Sequence, residues 1–295
     1  MNRPFQGTIV PAITPYLSDG SLDKKGVEAV FAHFDGHPAV DGIFVTGAMG
    51  DYSVLTTQER KDIMDIALRM NLKKDWIPNT STMERDTSVE LARHAVSKGI
   101  DTIGVIFPRE CTAFAEVLSF MKEILALGTR VFIYQTGNSP YPLSVDEFAQ
   151  VVALGNVVGI KDSCSGRDMY RHVRYITGYA DQLTVIQGIE MLYLSSLAVG
   201  AKGVIGGGLN VYPEYISDIR QKYDTGDVRG AARRQAEVND TYELISEEGT
   251  TLAAMKYFLS LCGVPIGTTP RKDEPALSEG KKRFMKELHD KLYPA

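Results

Sequence analysis

In the stretch Val157-Val158-Gly159-Ile160-Lys161-Asp162-Ser163, an apolar run ends abruptly in a lysine followed by polar residues. Bounded by Gly155-Asn156 and Ser165-Gly166, a run of this length predicts a buried strand. A lysine has a pKa of about 10.4 in water, and burial lowers that pKa and leaves a nucleophilic amine that can condense with a ketone. The alternative is a lysine that caps the strand and extends to water.

Composition narrows the class of protein. The 295 residues are 44% hydrophobic and 23% charged, which is typical of a soluble globular protein with a large core. The net charge is -5, with no long cluster of Lys and Arg, so nucleic acid is not an expected partner. The N-terminal sequence has no signal-like apolar region, and no apolar run reaches the roughly 18 residues that span a bilayer. We therefore expect no membrane association and a cytoplasmic location.

Cysteine and histidine patterns predict neither a disulfide framework nor a metal site. The three cysteines are far apart and form no CxxC motif: Cys111, Cys164 and Cys262. The five histidines form no HExxH motif and no other recognisable ligand spacing. We expect no metal ion and no organic cofactor.

Short apolar runs alternate with amphipathic helical patterns over roughly 220 residues. The predicted strands are 8–13, 42–45, 76–79, 102–106, 130–134, the opening stretch, 183–186 and 203–205. The third is weak because Pro78 interrupts it. Eight such units predict an α/β fold, a (β/α)8 TIM barrel over residues 1–225, followed by a C-terminal helical extension over 226–295. An open doubly wound sheet is the alternative, although no Gly-x-Gly-x-x-Gly turn follows the first run.

In such a barrel the active site lies at the C-terminal ends of the strands. Lys161 ends the sixth run and Tyr134 ends the fifth. Neighbouring strands are about 4.8 Å apart, so a phenol there reaches the amine if both side chains point inward, and it can move the protons that condensation requires. The alternative for Tyr134 is an aromatic residue that packs under a loop.

Two glycine-rich turns lie at the same predicted end. After the second strand, the backbone amides of Thr46-Gly47-Ala48-Met49-Gly50-Asp51 are suited to an anion such as a carboxylate, although a tight turn before a helix has the same composition. After the eighth strand, Gly206-Gly207-Gly208 leaves room for a ligand against the backbone or makes a flexible connection.

Taken together, these motifs resemble those of the dihydrodipicolinate synthase / N-acetylneuraminate lyase family of class I aldolases, over nearly the whole chain. The matching residues are Gly47 to Asp51, Leu55-Thr56, Glu59-Arg60, Tyr134, Gly159 to Ser163, Gly188, Gly203-Val204-Ile205, Asn210-Val211 and Pro213-Glu214. The resemblance implies a barrel with a helical C-terminal extension that forms a homo-oligomer, a tetramer or a dimer.

The resemblance also assigns roles. It implies that Lys161 forms a Schiff base with pyruvate or another 2-oxo acid, and that Tyr134 shuttles protons. The loop Gly47, Ala48, Met49, Gly50 would hold the substrate carboxylate, and Gly188 and Ile205 would also line the substrate site. A protonated imine is the electron sink for cleavage, so no divalent cation is required of the kind that class II aldolases use.

Departures from the family pattern bear on the substrate. Ala48 and Met49 stand where the family usually has two hydroxyl residues, so only backbone amides remain for the carboxylate. Phe107 to Cys111 replaces the tyrosine pair of the synthase branch, and no arginine follows Tyr134 closely. The lysine-biosynthetic synthase activity is therefore disfavoured. Arg109 is a candidate replacement charge for an acidic substrate, or an ordinary exposed loop arginine.

The predicted function is a lyase of carbohydrate metabolism that cleaves a 2-oxo-3-deoxy sugar acid to pyruvate and an aldehyde, as 2-keto-3-deoxygluconate aldolases do. The polar loop from Gln135 to Ser139 would hydrogen-bond the sugar hydroxyls. The alternatives are a dehydratase or hydratase-aldolase on the same scaffold, and a non-catalytic barrel that binds a small acid.

Overall fold

The structure is a computed structural model, and it describes residues 5–137, 139–163, 169–269, 271 and 275–294. Within these ranges, every helix is too short or too polar to cross a membrane.

Parallel strands of two to six residues make up one sheet. Their bounds are β1 Gly7–Pro11, β2 Gly42–Val45, β3 Asp75–Pro78, β4 Thr102–Val105, β5 Arg130–Gln135, β6 Val157–Asp162, β7 Thr184–Gln187 and β8 Gly203–Val204. The order is β3-β2-β1-β8-β7-β6-β5-β4. A parallel bridge between Asn79 and Gly104 joins the two outer strands and closes the sheet. The (β/α)8 barrel prediction is confirmed, and the open doubly wound alternative is wrong because the sheet closes.

Helices alternate with the strands and then continue beyond them. Their bounds are α1 Lys24–Gly36, α2 Thr57–Met70, α3 Arg85–Ser97, α4 Phe114–Leu125, α5 Val145–Val152, α6 Met169–Tyr179, α7 Tyr193–Ala198, α8 Pro213–Asp224, α9 Val228–Ser246, α10 Thr251–Leu261 and α11 Glu279–Leu292. Helix α5 begins with a capping box, in which Ser144 and Glu147 satisfy each other's backbone N–H groups.

Strand β3 forms despite its proline. Pro78 is the last residue of β3, where the missing N–H removes no bond inside the strand. The chain continues the barrel wall through Asn79, whose N–H donates to the Val45 carbonyl at 2.8 Å.

One irregularity sets the register at the opening stretch. Val131 pairs with Val157, but Phe132 pairs with Gly159, so Val158 is an extra residue in β6. A side chain at Gly159 would collide with the Phe132 ring and with the Thr184 carbonyl. The shift places Lys161 directly beside Tyr134.

An apolar cluster fills the barrel interior. It consists of Phe5, Ile9, Phe44, Ile77, Ile106, Phe132, Tyr134, Ile186 and Ile205. Because side chains alternate along a strand, the residues between these face the surrounding helices.

The helices after Asp224 share a core with the barrel. Ala231 and Val238 of α9 and Met255 of α10 belong to the same buried cluster as Tyr212 and Ile216. The division of the chain at residue 225 stays a prediction.

Candidate active site

Lys161 lies at the C-terminal end of β6 with its amine inside the barrel. The side chain is 5% exposed. Its Nζ lies 3.9 Å from the centroid of the Tyr134 ring and 5.7 Å from that of Phe44. The two rings meet edge to face, with centroids 5.6 Å apart. The amine is therefore enclosed by aromatic faces rather than by solvent.

Burial dominates the electrostatics of this amine. Desolvation lowers the pKa of Lys161 to about 7, and the negative charge of Glu190 opposes that shift only in part. No carboxylate in the described part of the chain forms a salt bridge with Lys161. At neutral pH a substantial fraction of the amine is therefore uncharged and nucleophilic.

Glu190 acts on Lys161 electrostatically and was not among the predicted site residues. It follows β7 in a short 3-10 turn, is 2% exposed, and its Oε1 accepts a hydrogen bond from the Gly208 N–H at 2.6 Å. Burial raises the pKa of its carboxyl group, and the Gly208 N–H opposes that shift. Gln235 of α9 holds the turn by donating to the Glu190 carbonyl at 3.0 Å. Nothing in the sequence around an isolated acidic residue in a loop indicates this contact.

The triple glycine after β8 makes room for protein groups. A Cβ at Gly206 would lie 2.1 Å from Glu190 Oε2, and a Cβ at Gly208 would lie 1.8 Å from the Tyr212 hydroxyl. The space that the sequence analysis offered to a ligand is therefore occupied by side chains of this chain at both positions.

The loop after β2 forms a tight turn with an unusual backbone. Thr46 and Asp51, at its two ends, have positive φ angles of 52° and 60°. Such a conformation is costly for a β-branched residue. In the described part of the chain, no group accepts a hydrogen bond from the N–H of Ala48 or Met49. These two amides are available to an anion.

Hydrogen bonds and packing hold this loop in place. The Thr14 hydroxyl donates to the Gly50 carbonyl at 2.8 Å, and the Tyr16 hydroxyl donates to Asp51 at 3.2 Å. Met49 turns toward the β8 loop, since its sulfur would lie 2.9 Å from a Cβ built on Gly207. Met49 therefore makes an apolar contact and supplies no side-chain hydrogen-bond donor to the loop.

The side chain of Gln135 does not enter the barrel interior beside Lys161. Its side chain is fully buried on the helix side of β5, where Oε1 accepts from the Leu143 N–H at 2.8 Å and Nε2 donates to the Tyr175 hydroxyl at 3.4 Å. The side chain points outward because Tyr134, the preceding residue, points inward. A direct contact between Gln135 and a substrate would require both bonds to break.

The other predicted site residues divide between the barrel interior and the surface. Ile205 belongs to the interior cluster with Tyr134. Gly188 donates its N–H to the Asp162 carbonyl at 2.8 Å, beside the end of β6. Arg109 is 60% exposed and forms a salt bridge with Glu84 at 2.5 Å, which fits an ordinary loop arginine. Asn138, in the predicted sugar-binding loop, lies outside the described residues.

The described residues contain no group of three His, Cys, Asp or Glu side chains arranged to hold a metal ion.

Comparison with known proteins identifies the family. Residues 4–291 match the dihydrodipicolinate synthetase family. YagE of Escherichia coli K12, assigned provisionally as a 2-dehydro-3-deoxy-D-gluconate aldolase, is 26% identical over 98% of this chain and 97% of its own. The N-acetylneuraminate lyase of Pasteurella multocida is 26% identical over 98% of this chain and 99% of its own.

A solved structure supports the fold. The structure of CdNal from Clostridium difficile in complex with mannosamine has a TM-score of 0.90 at 22% identity, and the match covers 99% of this chain and 100% of that one. At this identity the likeness shows the barrel fold alone.

Proposed function

Because the chain belongs to the dihydrodipicolinate synthetase family, we propose that it is a class I aldolase in which Lys161 forms an imine with a 2-oxo acid. Its substrate is a 2-oxo-3-deoxy sugar acid, which it cleaves reversibly to pyruvate and an aldehyde. The related proteins are named as lyases and aldolases. The observation that carries the proposal is the Lys161 amine, 5% exposed beside the Tyr134 ring, with its pKa lowered to about 7.

The reaction begins with attack of the neutral Lys161 amine on the C2 carbonyl. Loss of water from the addition product gives an imine, which is protonated to an iminium. The C3–C4 bond then breaks, its electron pair passes to the iminium nitrogen, and the C4 hydroxyl loses its proton to form the aldehyde. Protonation of the resulting enamine at C3 and hydrolysis release pyruvate and restore Lys161.

Tyr134 is the proton-transfer group in this proposal. Its side chain shares the barrel interior with Lys161, and its Cα pairs with that of Lys161 across the β5–β6 ladder. As the phenolate, this group accepts the proton of the C4 hydroxyl as the C3–C4 bond breaks, and the phenol so formed can donate that proton to C3 of the enamine; the reverse reaction returns it.

The substrate carboxylate binds the loop after β2. The N–H groups of Ala48 and Met49 supply the hydrogen bonds, because the usual hydroxyl donors are absent. Ile205 and Gly188 line the other side of the site.

The relatives support the class of substrate. The names of the two related proteins, one an aldolase for 2-dehydro-3-deoxy-D-gluconate and one a lyase for N-acetylneuraminate, both describe cleavage of a 2-oxo-3-deoxy sugar acid. The dehydratase and hydratase-aldolase alternatives share the imine and differ in the bond that breaks.

The first experiment traps the imine. The protein is incubated with pyruvate and cyanoborohydride, and the reduced adduct is located by peptide mass spectrometry, with and without EDTA. We expect one adduct, on Lys161, that EDTA does not change. Absence of an adduct with pyruvate and with every other 2-oxo acid tested would sink the proposal.

The second experiment identifies the reaction. The protein is incubated with 2-keto-3-deoxygluconate, N-acetylneuraminate and related acids, and released pyruvate is measured beside dehydration products. We expect pyruvate. Dehydration products without pyruvate would favour the dehydratase.

We also propose that the chain assembles as a homo-oligomer, a tetramer or a dimer. Light scattering coupled to size-exclusion chromatography measures the mass, and a monomer at micromolar concentration contradicts this.

A further inference from the structure

Arg60 is a buried cation without an acidic partner. The side chain, on the first turns of α2, is 1% exposed. No carboxylate in the described part of the chain forms a salt bridge with it, and its Nε has no hydrogen-bond partner. Burial lowers the pKa of the guanidinium to about 9, so the group is still a cation at neutral pH.

This placement is unfavourable in two respects. An unpaired buried charge costs free energy, because it loses its hydration and gains no counter-charge. A cation near the N-terminus of a helix also faces the positive end of the helix dipole. An anion nearby would offset both costs.

The hydrogen bonds of Arg60 lead to the loop after β2. Its two terminal nitrogens donate to the carbonyl oxygens of Asn79 and Ser81, the latter at 2.5 Å. The Asn79 carbonyl also accepts from the Thr46 hydroxyl at 2.9 Å. The Asn79 amide returns a bond to the Thr46 carbonyl at 2.9 Å. The Asn79 carbonyl thus accepts from both the Arg60 guanidinium and the Thr46 hydroxyl. This shared acceptor links Arg60 to the first residue of the loop.

Thr46 is also where the loop needs support. Its φ of 52° is unfavourable for a β-branched residue and persists only if the surroundings hold it. The reciprocal bonds with Asn79 do so, and Arg60 fixes Asn79. The side chain of Arg60 therefore supports the turn that presents the N–H groups of Ala48 and Met49.

We propose that Arg60 is a positioning residue for the substrate carboxylate: it holds the strained turn at Thr46 through Asn79, and its uncompensated positive charge favours an anion at the Ala48–Met49 amides. The inference rests on the proposed function. It explains how this chain binds a 2-oxo acid although the loop has lost its hydroxyl donors. Arg60 does not touch the substrate and acts through the loop and through its field.

The test compares a charged ketone with a neutral one of similar shape. Imine trapping by cyanoborohydride is measured at pH 6 against the concentration of pyruvate and, separately, of pyruvamide, in the wild type and in Arg60→Gln, Arg60→Lys and Arg69→Gln. Arg69 lies on the same helix, is 62% exposed and pairs with Glu28, so Arg69→Gln is the matched control. Thermal unfolding followed by circular dichroism verifies that each variant is folded.

The wild type is expected to reach half-maximal trapping at a lower concentration of pyruvate than of pyruvamide. In Arg60→Gln the half-maximal concentration of pyruvate rises about tenfold while that of pyruvamide changes little, because the lost interaction is with charge. Arg60→Lys and Arg69→Gln keep the preference for pyruvate.

Two results overturn the inference while leaving the imine mechanism intact. One is an equal rise for both ketones in Arg60→Gln, which indicates a purely structural role. The other is a wild type that does not prefer pyruvate to pyruvamide, and this result decides the matter even if Arg60→Gln does not fold. A wild type that traps neither these ketones nor any other 2-oxo compound refutes the proposed function itself.

Discussion

The last two residues of β5, β6 and β7 form two rows across the sheet. The rows are similarly buried, but their side chains meet different groups. The inner row, facing the barrel interior, is Tyr134, Lys161 and Ile186, and the outer row, facing the helices, is Gln135, Asp162 and Gln187. All six are at most 5% exposed. Burial alone therefore does not distinguish the two rows.

The partners of the polar side chains distinguish the two rows. In the outer row, Asp162 Oδ2 lies 3.0 Å from His172 Nδ1, and both side chains are fully buried. Gln187 donates to the Ser196 hydroxyl at 2.6 Å, and its Oε1 accepts from the Ile189 N–H at 2.9 Å. In the inner row, Lys161 faces aromatic rings and forms no salt bridge with the described residues. The outer-row side chains are thus held by hydrogen bonds, whereas the Lys161 amine has no salt-bridge partner among the described residues and a lowered pKa.

Replacing Lys161 should produce the largest effect on activity. Lys161→Met removes the nucleophile, so we expect no trapped adduct and no detectable cleavage. The free energy of unfolding should stay equal or rise, because a buried amine is replaced by an apolar chain of similar length. Peptide mass spectrometry and urea unfolding measure the two effects.

Lys256→Met is the matched control, because Lys256 is also fully buried but donates to the Thr269 carbonyl at 3.1 Å outside the barrel interior. It should keep the adduct. An adduct that survives in Lys161→Met would assign the chemistry to another lysine.

Replacing Tyr134 should affect turnover and leave the imine. In Tyr134→Phe we expect turnover to fall by about 10²–10⁴-fold, the usual contribution of a general acid–base group, while the Lys161 adduct with pyruvate still forms. Steady-state kinetics and trapping are measured on the same sample. Tyr175→Phe, which removes the phenol on α6 that accepts from Gln135 of the outer row, should change turnover only slightly, and equal losses in the two variants would remove the distinction between the rows.

Breaking the outer row should reduce stability and spare chemistry. Asp162→Ala removes the hydrogen-bond partner of His172 Nδ1 in a fully buried place, and we expect the free energy of unfolding to fall by about 2 kcal/mol. Combined with His172→Ala in a double-mutant cycle, the pair should show a coupling energy above about 1 kcal/mol. Folded Asp162→Ala that no longer forms the Lys161 adduct would show that the outer row takes part in the reaction.

The pH dependence of imine formation should reflect the lowered pKa of Lys161. The neutral amine is the nucleophile and the pKa of Lys161 is lowered to about 7, so the rate of imine formation should rise with pH and level off above about 7. An ordinary lysine would keep gaining reactivity up to about pH 10.4. Rapid trapping between pH 5.5 and 9 measures the profile, and a rate that still climbs at pH 9 contradicts the lowered pKa.

The lowered pKa of Lys161 also makes the free energy of unfolding depend on pH. The unfolded chain binds the Lys161 proton more tightly than the folded chain does, so this group makes stability rise between about pH 7 and pH 10. The rise should be absent in Lys161→Met. Urea unfolding of both proteins across this range measures it, and parallel curves would contradict the assignment.

Restoring a hydroxyl to the loop after β2 should have the smallest effect. Met49→Thr supplies a donor near the N–H groups assigned to the carboxylate but loses the contact of Met49 with Gly207. We expect the half-maximal concentration of pyruvate to fall a few-fold, the value of a single hydrogen bond to a charged group after the packing loss. Met49→Leu, which keeps the packing and adds no donor, should not lower it.

The sequence by itself determined the barrel, its approximate strand positions and the placement of Lys161 and Tyr134 on neighbouring strands. These features depend on periodicity: a buried parallel strand reads as an apolar run, a helix repeats every 3.6 residues, and eight alternations leave few architectures. The end of a strand is also the place where a lysine inside an apolar run stands out.

Tertiary structure alone decided which way the neighbouring side chains point and which groups they meet. The extra residue Val158 sets the register that brings Lys161 beside Tyr134, and Gln135 turns to the helices. Glu190 comes close enough from a loop to act on Lys161, and Arg60 on α2 bonds to the carbonyls of Asn79 and Ser81. The physical reason is that these contacts join residues distant in the chain. Local periodicity reports burial, whereas charge compensation depends on partners that only the closed barrel brings together.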